Sequence, residues 1–249
     1  MHGEKHDRNL AATLFCLNHQ TFRGFETIVV TDKIRHAYNK TRFYQAIDPK
    51  NNLMNKNWMF NIGANQSKGK KLVFLDADMV FHEDYLQKIH ESNHLWAIGW
   101  SKCVYLETEI SNQFRNLQIV NFFSETTRCS VFTPTILGAC GGSQVFEREF
   151  FFKKFYGHNE NYSGWGGEDN DSSLRASTLT GKINWIKFEI GHLNHELTGV
   201  HTQTRNNQDQ WWKTEHNPSE VTRRIGKNRE LGLVGCLDKP NHVEVEDLK

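Results

Sequence analysis

Apolar residues recur along this chain in two periods, and the alternation between them predicts its elements. Residues 8–20 place Leu10, Leu14 and Leu17 on one helical face. Residues 25–31 are a β-branched run that reads as a strand closed by Asp32. Residues 33–54 are polar and irregular, with one short strand expected at 42–47. Helical spacing returns over 55–67, with Trp58, Met59 and Ile62 on the inner side and Gly69 behind the helix. Residues 71–81 then form a short apolar run rich in Val and Phe, as a buried strand does. Residues 82–94 make an amphipathic helix that turns Tyr85, Leu86 and Ile89 inward. Strands at 95–100 and 102–106 follow, read as a candidate pair. The pattern is weakest over 107–136, where a helix and a flexible connection are expected. A strand at 143–146 precedes a helix over 147–156 that carries Phe150, Phe151 and Phe155, and a further helix opens at 168. Beyond 201 the chain is polar. Residues 205–229 read as one or two helices packing Trp211 and Trp212 on the domain, and the charged tail at 241–249 is expected to fray. Strand–helix–strand order predicts an α/β domain with a mixed, mainly parallel central sheet flanked by helices.

Two stretches carry candidate chemistry. The central run ends in Asp76-Ala-Asp78. On a strand these side chains would share a face, where two like charges repel and are costly to bury unpaired. A divalent cation at the C-terminal end of the strand answers that problem, and open α/β sheets bind ligands there. Two solvated aspartates at a strand end are the bland alternative. The second stretch, residues 138–176, holds Gly141-Gly142 and then Gly164-Trp165-Gly166-Gly167-Glu168-Asp169-Asn170-Asp171. Three glycines around a tryptophan make a sharply turned loop with an aromatic face. The acids that follow sit where a helix macrodipole favours negative charge. They could simply cap and charge that helix. A flat aromatic beside adjacent carboxylates is also what a sugar needs, with a stacking surface for its C–H face and acceptors for its hydroxyls. Asp171 and Arg175, spaced i,i+4, are expected to pair.

Composition narrows the classes. The chain has 249 residues, enough for one large α/β domain with a sizeable core. With 30 Lys and Arg against 29 Asp and Glu, it is not built to hold nucleic acid by bulk charge. No apolar run reaches the roughly 18 residues of a membrane span, and the first residues lack a signal-peptide core. Cys16, Cys103, Cys129, Cys140 and Cys236 form no Cys-x-x-Cys pair and cannot all pair off. They read as reduced thiols of a cytoplasmic protein.

Taken together the two stretches resemble the GT-A glycosyltransferases. Residues 55–81 look like the nucleotide-sugar half of such a domain, with its Asp-x-Asp metal motif. Residues 138–176 are similar to the C-terminal part of the β-1,4-galactosyltransferases and of bacterial family 2 enzymes such as chondroitin polymerases. Those share Gly-Gly, an aromatic helix, Gly-Trp-Gly-Gly-Glu-Asp-x-Asp and a following Arg. Asp-x-Asp alone is weak, the Gly-Trp motif is strong, and the likeness spans residues 9 to about 205. It implies one GT-A domain over 1–249, with a nucleotide-sugar-binding half at 9–100, an acceptor and catalytic half at 137–205 and a helical extension at 206–249. The family's first strand has no counterpart before Arg8, and Asn170 replaces an acid common in the galactosyltransferases.

The resemblance also implies roles. Asp78 would ligate Mn²⁺ or Mg²⁺, and Asp76 would hold the ribose or share the metal. Lys56 and Asn61 would lie near the nucleotide sugar. Asp169 would be the catalytic base of an inverting transfer. Glu168 would hydrogen-bond sugar hydroxyls beside Trp165, Gly166 and Gly167, and Gly142 would leave room for the donor sugar. The family's downstream histidine ligand is matched best by His195, with His192 second and His201 third. On a regular strand His192 and His195 face opposite ways, so at most one is expected to bind. The expected donor is a UDP-sugar of galactose, N-acetylgalactosamine or a close relative. The expected acceptor is a saccharide or glycoconjugate, with a membrane-bound assembly as a conceivable partner. Two other readings stand beside this one: a non-catalytic sugar- or nucleotide-binding descendant, and a haloacid dehalogenase-type phosphatase with Asp76 as nucleophile. The second leaves the Gly-Trp loop unexplained.

Overall fold

The computed structural model describes residues 4–31, 41–46, 54–122, 131–132, 140–195, 204, 206–207, 209 and 242–245. In chain order the elements are α1 (Glu4–Asn18), β1 (Thr27–Thr31), β2 (Thr41–Ala46), α2 (Lys56–Gln66), β3 (Lys71–Leu75), β4 (Met79–Phe81) and α3 (Tyr85–Glu91). Then come β5 (Trp96–Ile98), β6 (Lys102–Tyr105), α4 (Thr108–Arg115), β7 (Val131–Phe132) and β8 (Ser143–Glu147). The last are α5 (Arg148–Phe150), a π-helical turn (Phe151–Phe155), α6 (Glu168–Thr180), β9 (Glu189–His192) and β10 (His242–Val245). The chain forms two compact units. The first comprises Met1–Gly24, Val73–Phe146 and Ile183–Thr198, and the second Phe25–Leu72, Glu147–Lys182 and Gly199–Lys249.

In the first unit, β4, β9, β6 and β7 form a sheet in that order, and β3, β8 and β5 another. β6 runs parallel to β9, whereas β4–β9, β6–β7 and β5–β8 are antiparallel. The sheets are mixed, as expected, but partly antiparallel, and the mainly parallel order is not seen among the described residues. One physical reason lies at Asp76–Asp78. A parallel return to the same sheet needs a crossover of about a dozen residues, but only a turn separates β3 from β4, and the two strands enter different sheets. Nor do β5 and β6 pair. Between them the backbone changes partners: Gly99 N–H donates to Ser143 O at 2.9 Å, and Ser101 N–H to Phe188 O at 2.8 Å. The core of this unit includes Leu14 and Leu17 of α1, Met79 and Val80 of β4, and Trp96 to Ile98 of β5. Tyr85, Leu86 and Ile89 of α3 are buried, as their spacing predicts.

In the second unit β2 lies between β1, which is parallel to it, and β10, which is antiparallel. Residues 242–245 thus add a strand where fraying was expected, so the helical extension proposed for 206–249 is interrupted there. α2 begins at Asn55, whose side-chain oxygen accepts the Trp58 N–H at 2.9 Å, a cap worth about 1 kcal/mol. Its inner face buries Trp58 and Ile62 with Tyr44 of β2, against Ile28, Val30 and Met59. The single helix expected over 147–156 is instead α5 and the π-helical turn, ending at Tyr156 with a left-handed backbone (φ 59°). The Asp171–Arg175 pair is fully buried, with Nε to Oδ2 at 2.8 Å. Arg175 also donates to the carbonyls of Phe155 and Gly157 and stacks its guanidinium on the Phe155 ring. This lashes α6 to the π-helical turn. Cys16, Cys103 and Cys140 are buried free thiols. No helix among the described residues is long and apolar enough to cross a membrane. His201, Trp211 and Trp212 lie outside the described residues.

Candidate functional site

The first cluster belongs to the first unit. Asp76 and Asp78 sit in the turn between β3 and β4, not on one strand face as the sequence suggested. The two carboxylates have separate tasks. Asp76 is held against the Gly-Gly segment: its N–H donates to Gly142 O at 3.0 Å, and its Oδ2 accepts the Gly142 N–H at 3.2 Å. Gly142 adopts φ 79°, which favours glycine, and a Cβ there would stand 3.2 Å from the flexible Met79 side chain, which would have to give slightly. Asp78 faces two imidazoles. Its Oδ2 lies 3.0 Å from His195 Nε2 and 3.7 Å from His192 Nε2.

Both histidines therefore reach one carboxylate, against the expectation that at most one could. The strand alternation fails because β9 ends at His192 and residues 193–195 depart from regular strand geometry. Leu193 N–H donates to Asp78 O at 2.9 Å, and Leu193 is buried. That bend brings His195 back to the side of His192. One ligand atom from each of Asp78, His192 and His195 lies within 4.8 Å of the others. Tyr105 of β6 stacks on the His192 ring, with centroids 4.4 Å apart and planes 13° from parallel. Asp78 Oδ1 is buried and, among the described residues, has no hydrogen-bond partner. Burial raises the Asp78 pKa, but the His195 hydrogen bond and the charges of the two histidines outweigh it and hold the carboxyl below its ordinary range. Cys103 on β6 is pushed up to about 12 by burial and by the Asp78 and Asp76 charges, so it remains a neutral thiol.

This donor set fits a divalent cation. One carboxylate oxygen has no partner among the described residues, and two imidazoles stand beside the other. Imidazole nitrogens suit Mn²⁺ and later transition ions better than Ca²⁺ or Mg²⁺, which prefer oxygen. Asp76 is not one of the three gathered groups.

The second cluster belongs to the second unit and grows from the N-terminus of α6. Gly164, Gly166 and Gly167 all have positive φ (71°, 104° and 85°), a backbone that other residues enter only with strain. The loop so formed leaves Trp165 65% exposed. Its stem is tied down by Gly164 N–H to Met54 O at 2.7 Å and by Asn207, which donates to Ser163 O at 2.8 Å. Glu168 and Asp169 open the helix and share one cation. Lys56 Nζ lies 2.7 Å from Asp169 Oδ2 and 3.1 Å from Glu168 Oε1. Glu168 is buried, and its Oε2 has no hydrogen-bond partner among the described residues. Asn61 faces inward: it donates to His158 O and Glu160 Oε1 and accepts the His158 N–H. Asn55 and Asn57 bind the carbonyls of Glu160 and Asn159 in the same way. Three asparagines of one segment thus fix the chain that leads into the Gly-Trp loop. His158, buried there, is held well below its ordinary pKa by burial and by the Arg175 and Lys56 charges, and it stays neutral.

The structure brings the expected Asp78 and His195 together in one cluster and Lys56, Glu168 and Asp169 in another, partnerships that the sequence did not specify. Sequence reasoning ranked His192 behind His195 where both approach Asp78, and it missed Tyr105 altogether. An aromatic at the exposed end of a strand, just before the next turn, was the available signal for Tyr105.

Residues 123–198 match the family model described as the N-terminal domain of galactosyltransferase. Among curated proteins, β-1,4-galactosyltransferase 4 of Rattus norvegicus is 33% identical over 84 residues, which is 30% of this chain and 24% of that protein. The Homo sapiens β-1,4-galactosyltransferase 4 is 32% identical over 111 residues, 43% of this chain and 31% of that protein. The matches thus span about a quarter to a third of those relatives' length. Among solved structures, S. aureus TarS 1–349 in complex with UDP-GlcNAc superposes with a TM-score of 0.55 at 14% identity. The superposition covers 90% of this chain and 63% of that one. The chain resembles GT-A glycosyltransferases in fold, and β-1,4-galactosyltransferases in sequence over part of its length.

Proposed function

We propose that this protein is a metal-dependent inverting glycosyltransferase. It moves a hexose or N-acetylhexosamine from a UDP-sugar to a saccharide hydroxyl. The observation that carries the reading is the gathering of Asp78, His192 and His195 around an unpartnered carboxylate oxygen. Both histidines, and the Gly-Trp-Gly-Gly-Glu-Asp segment, fall inside the stretch that matches the galactosyltransferase model.

Asp78, His192 and His195 would hold the cation, which the imidazoles favour as Mn²⁺ over Mg²⁺. When bound, the cation supplies positive charge to the diphosphate that departs with the nucleotide. Asp76, fixed by Gly142, orients the ribose or adds a ligand. Asp169 takes the proton of the acceptor hydroxyl as that oxygen bonds to the anomeric carbon. The bond from that carbon to the diphosphate oxygen breaks on the opposite face, UDP leaves with the electron pair, and the centre inverts. Lys56, 2.7 Å from Asp169 Oδ2, orients that carboxylate. The free Oε2 of Glu168 accepts from a sugar hydroxyl, and exposed Trp165 offers the stacking face.

The test is UDP release from a panel of UDP-sugars with Mn²⁺, comparing wild type with Asp78→Ala and Asp169→Asn. The reading expects metal-dependent release from one donor, lost in Asp78→Ala. Asp169→Asn should bind the same donor yet fail to transfer it. Release that persists in Asp78→Ala or survives chelation would refute it.

A further inference from the structure

His195 reaches Asp78 because the backbone leaves its regular strand course after β9; Leu193 N–H to Asp78 O holds one end of this departure, and α4 holds the residue that follows. Asn194, the residue at the bend, has an exposed side chain, yet both of its backbone polar groups are taken by buried side chains of that helix. Its N–H donates to Ser111 Oγ at 2.8 Å, and its carbonyl accepts from Arg115 Nη2. Ser111 and Arg115 are four residues apart, so they lie on one face of α4. The Ser111 hydroxyl spends its proton on Leu106 O at 3.3 Å, which leaves its oxygen free to accept. The other arms of Arg115 reach Asn9 Oδ1 at 2.7 Å and Asn112 Oδ1 at 2.9 Å. A buried guanidinium whose hydrogen bonds all go to neutral oxygens is an expensive way to add stability. It is an effective way to hold one carbonyl with a guanidinium that is itself anchored at two other points.

We propose that Ser111 and Arg115 are positioning residues for the metal centre. They clamp the Asn194 peptide groups and so set His195 against Asp78, on the same side as His192. The inference rests on the metal reading above and adds to it what makes the second imidazole available. It also explains how an apolar strand end with alternating side chains gives two ligands from one side. Residues that orient metal ligands from outside typically change affinity by about 10-fold to 100-fold when removed.

The experiment measures Mn²⁺ affinity of the full chain by electron paramagnetic resonance of free Mn²⁺, together with thermal stability. Ser111→Ala and Arg115→Met are compared with Phe114→Leu. Phe114 is buried on the same helix and packs edge-on to Phe122, so its truncation loosens α4 without touching Asn194. The clamp expects Mn²⁺ affinity about 10-fold weaker in Ser111→Ala and up to about 100-fold weaker in Arg115→Met, and unchanged in Phe114→Leu at similar loss of stability. Should Arg115→Met fail to fold, Ser111→Ala decides alone. Wild type that binds Mn²⁺ with both clamp variants binding equally well overturns the clamp and leaves the metal reading standing. An affinity loss in Phe114→Leu that matches the clamp variants also overturns it, since any loosening of α4 would then suffice. Wild type that binds no Mn²⁺ overturns the metal reading and, with it, this role for α4.

Discussion

The two carboxylate clusters are built from similar parts and solve the same electrostatic problem in opposite ways. In the second unit the cation is covalently part of the chain: Lys56 sits between Asp169 and Glu168, at 2.7 and 3.1 Å. In the first unit the Asp78 carboxylate faces the imidazoles of His192 and His195, and one of its buried oxygens has no partner among the described residues. A cluster with its own ammonium has less use for an added ion. A cluster of carboxylate and imidazole with an orphaned oxygen is receptive to one. On the proposed reading the difference would place the metal at Asp78 and leave Asp169 as a proton acceptor, although both belong to acid-rich motifs.

The sharpest way to break this division is to exchange the losses. Asp78→Ala should abolish Mn²⁺ binding and with it UDP release. Asp169→Asn should leave Mn²⁺ affinity unchanged while transfer falls by about 10²-fold to 10⁴-fold, the usual worth of a positioned general base. If Asp169→Asn weakened Mn²⁺ binding as much as Asp78→Ala does, the division would be wrong. Next in size is the footing of the second cluster. Arg175→Met strands the fully buried Asp171 and should cost about 3–5 kcal/mol in denaturant unfolding. Equal stability of wild type and variant would show that the pair does not anchor α6.

Acid should sharpen the contrast further. His158 is neutral in the folded chain because burial and the Arg175 and Lys56 charges depress its pKa. The unfolded chain takes up that proton near pH 6.5, so the native state loses stability as pH falls below that value. The slope is at most about 1.4 kcal/mol per pH unit from this one group. His158→Asn should flatten that slope between pH 6.5 and 5, and an unchanged slope would remove His158 from the account. The smallest effect is expected at Tyr105, whose stack on His192 is partly exposed. Tyr105→Ala should weaken Mn²⁺ binding by a few fold, on the order of 1 kcal/mol or less. A loss as large as that in Asp78→Ala would mean that Tyr105 does more than steady the ring.

The readable features were those carried by neighbours in sequence. The inward face of α3, the Asp171–Arg175 pair and the Gly-Trp-Gly-Gly-Glu-Asp loop all depend on spacings of a few residues. What escaped reading depends on distant partners. The alternation rule set His192 and His195 apart, and it failed because Asp78, Ser111 and Arg115, far away in the chain, hold the bend between them. β5 and β6 looked paired because they adjoin, but Ser143 and Phe188 take the intervening backbone groups. The helix expected through residue 156 ends in a π-helical turn because Arg175, twenty residues on from Phe155, binds the carbonyls there. Lys56 was read by its place in a motif, and its task between two acids became visible only with α6 folded beside it.

The most direct measurement is anomalous diffraction at the manganese edge from crystals of this protein soaked in Mn²⁺. The account predicts one strong peak bonded to Asp78 and both imidazoles of His192 and His195, with none at Asp169. A peak held by Glu168 and Asp169, or none beside Asp78 at saturating Mn²⁺, would contradict it.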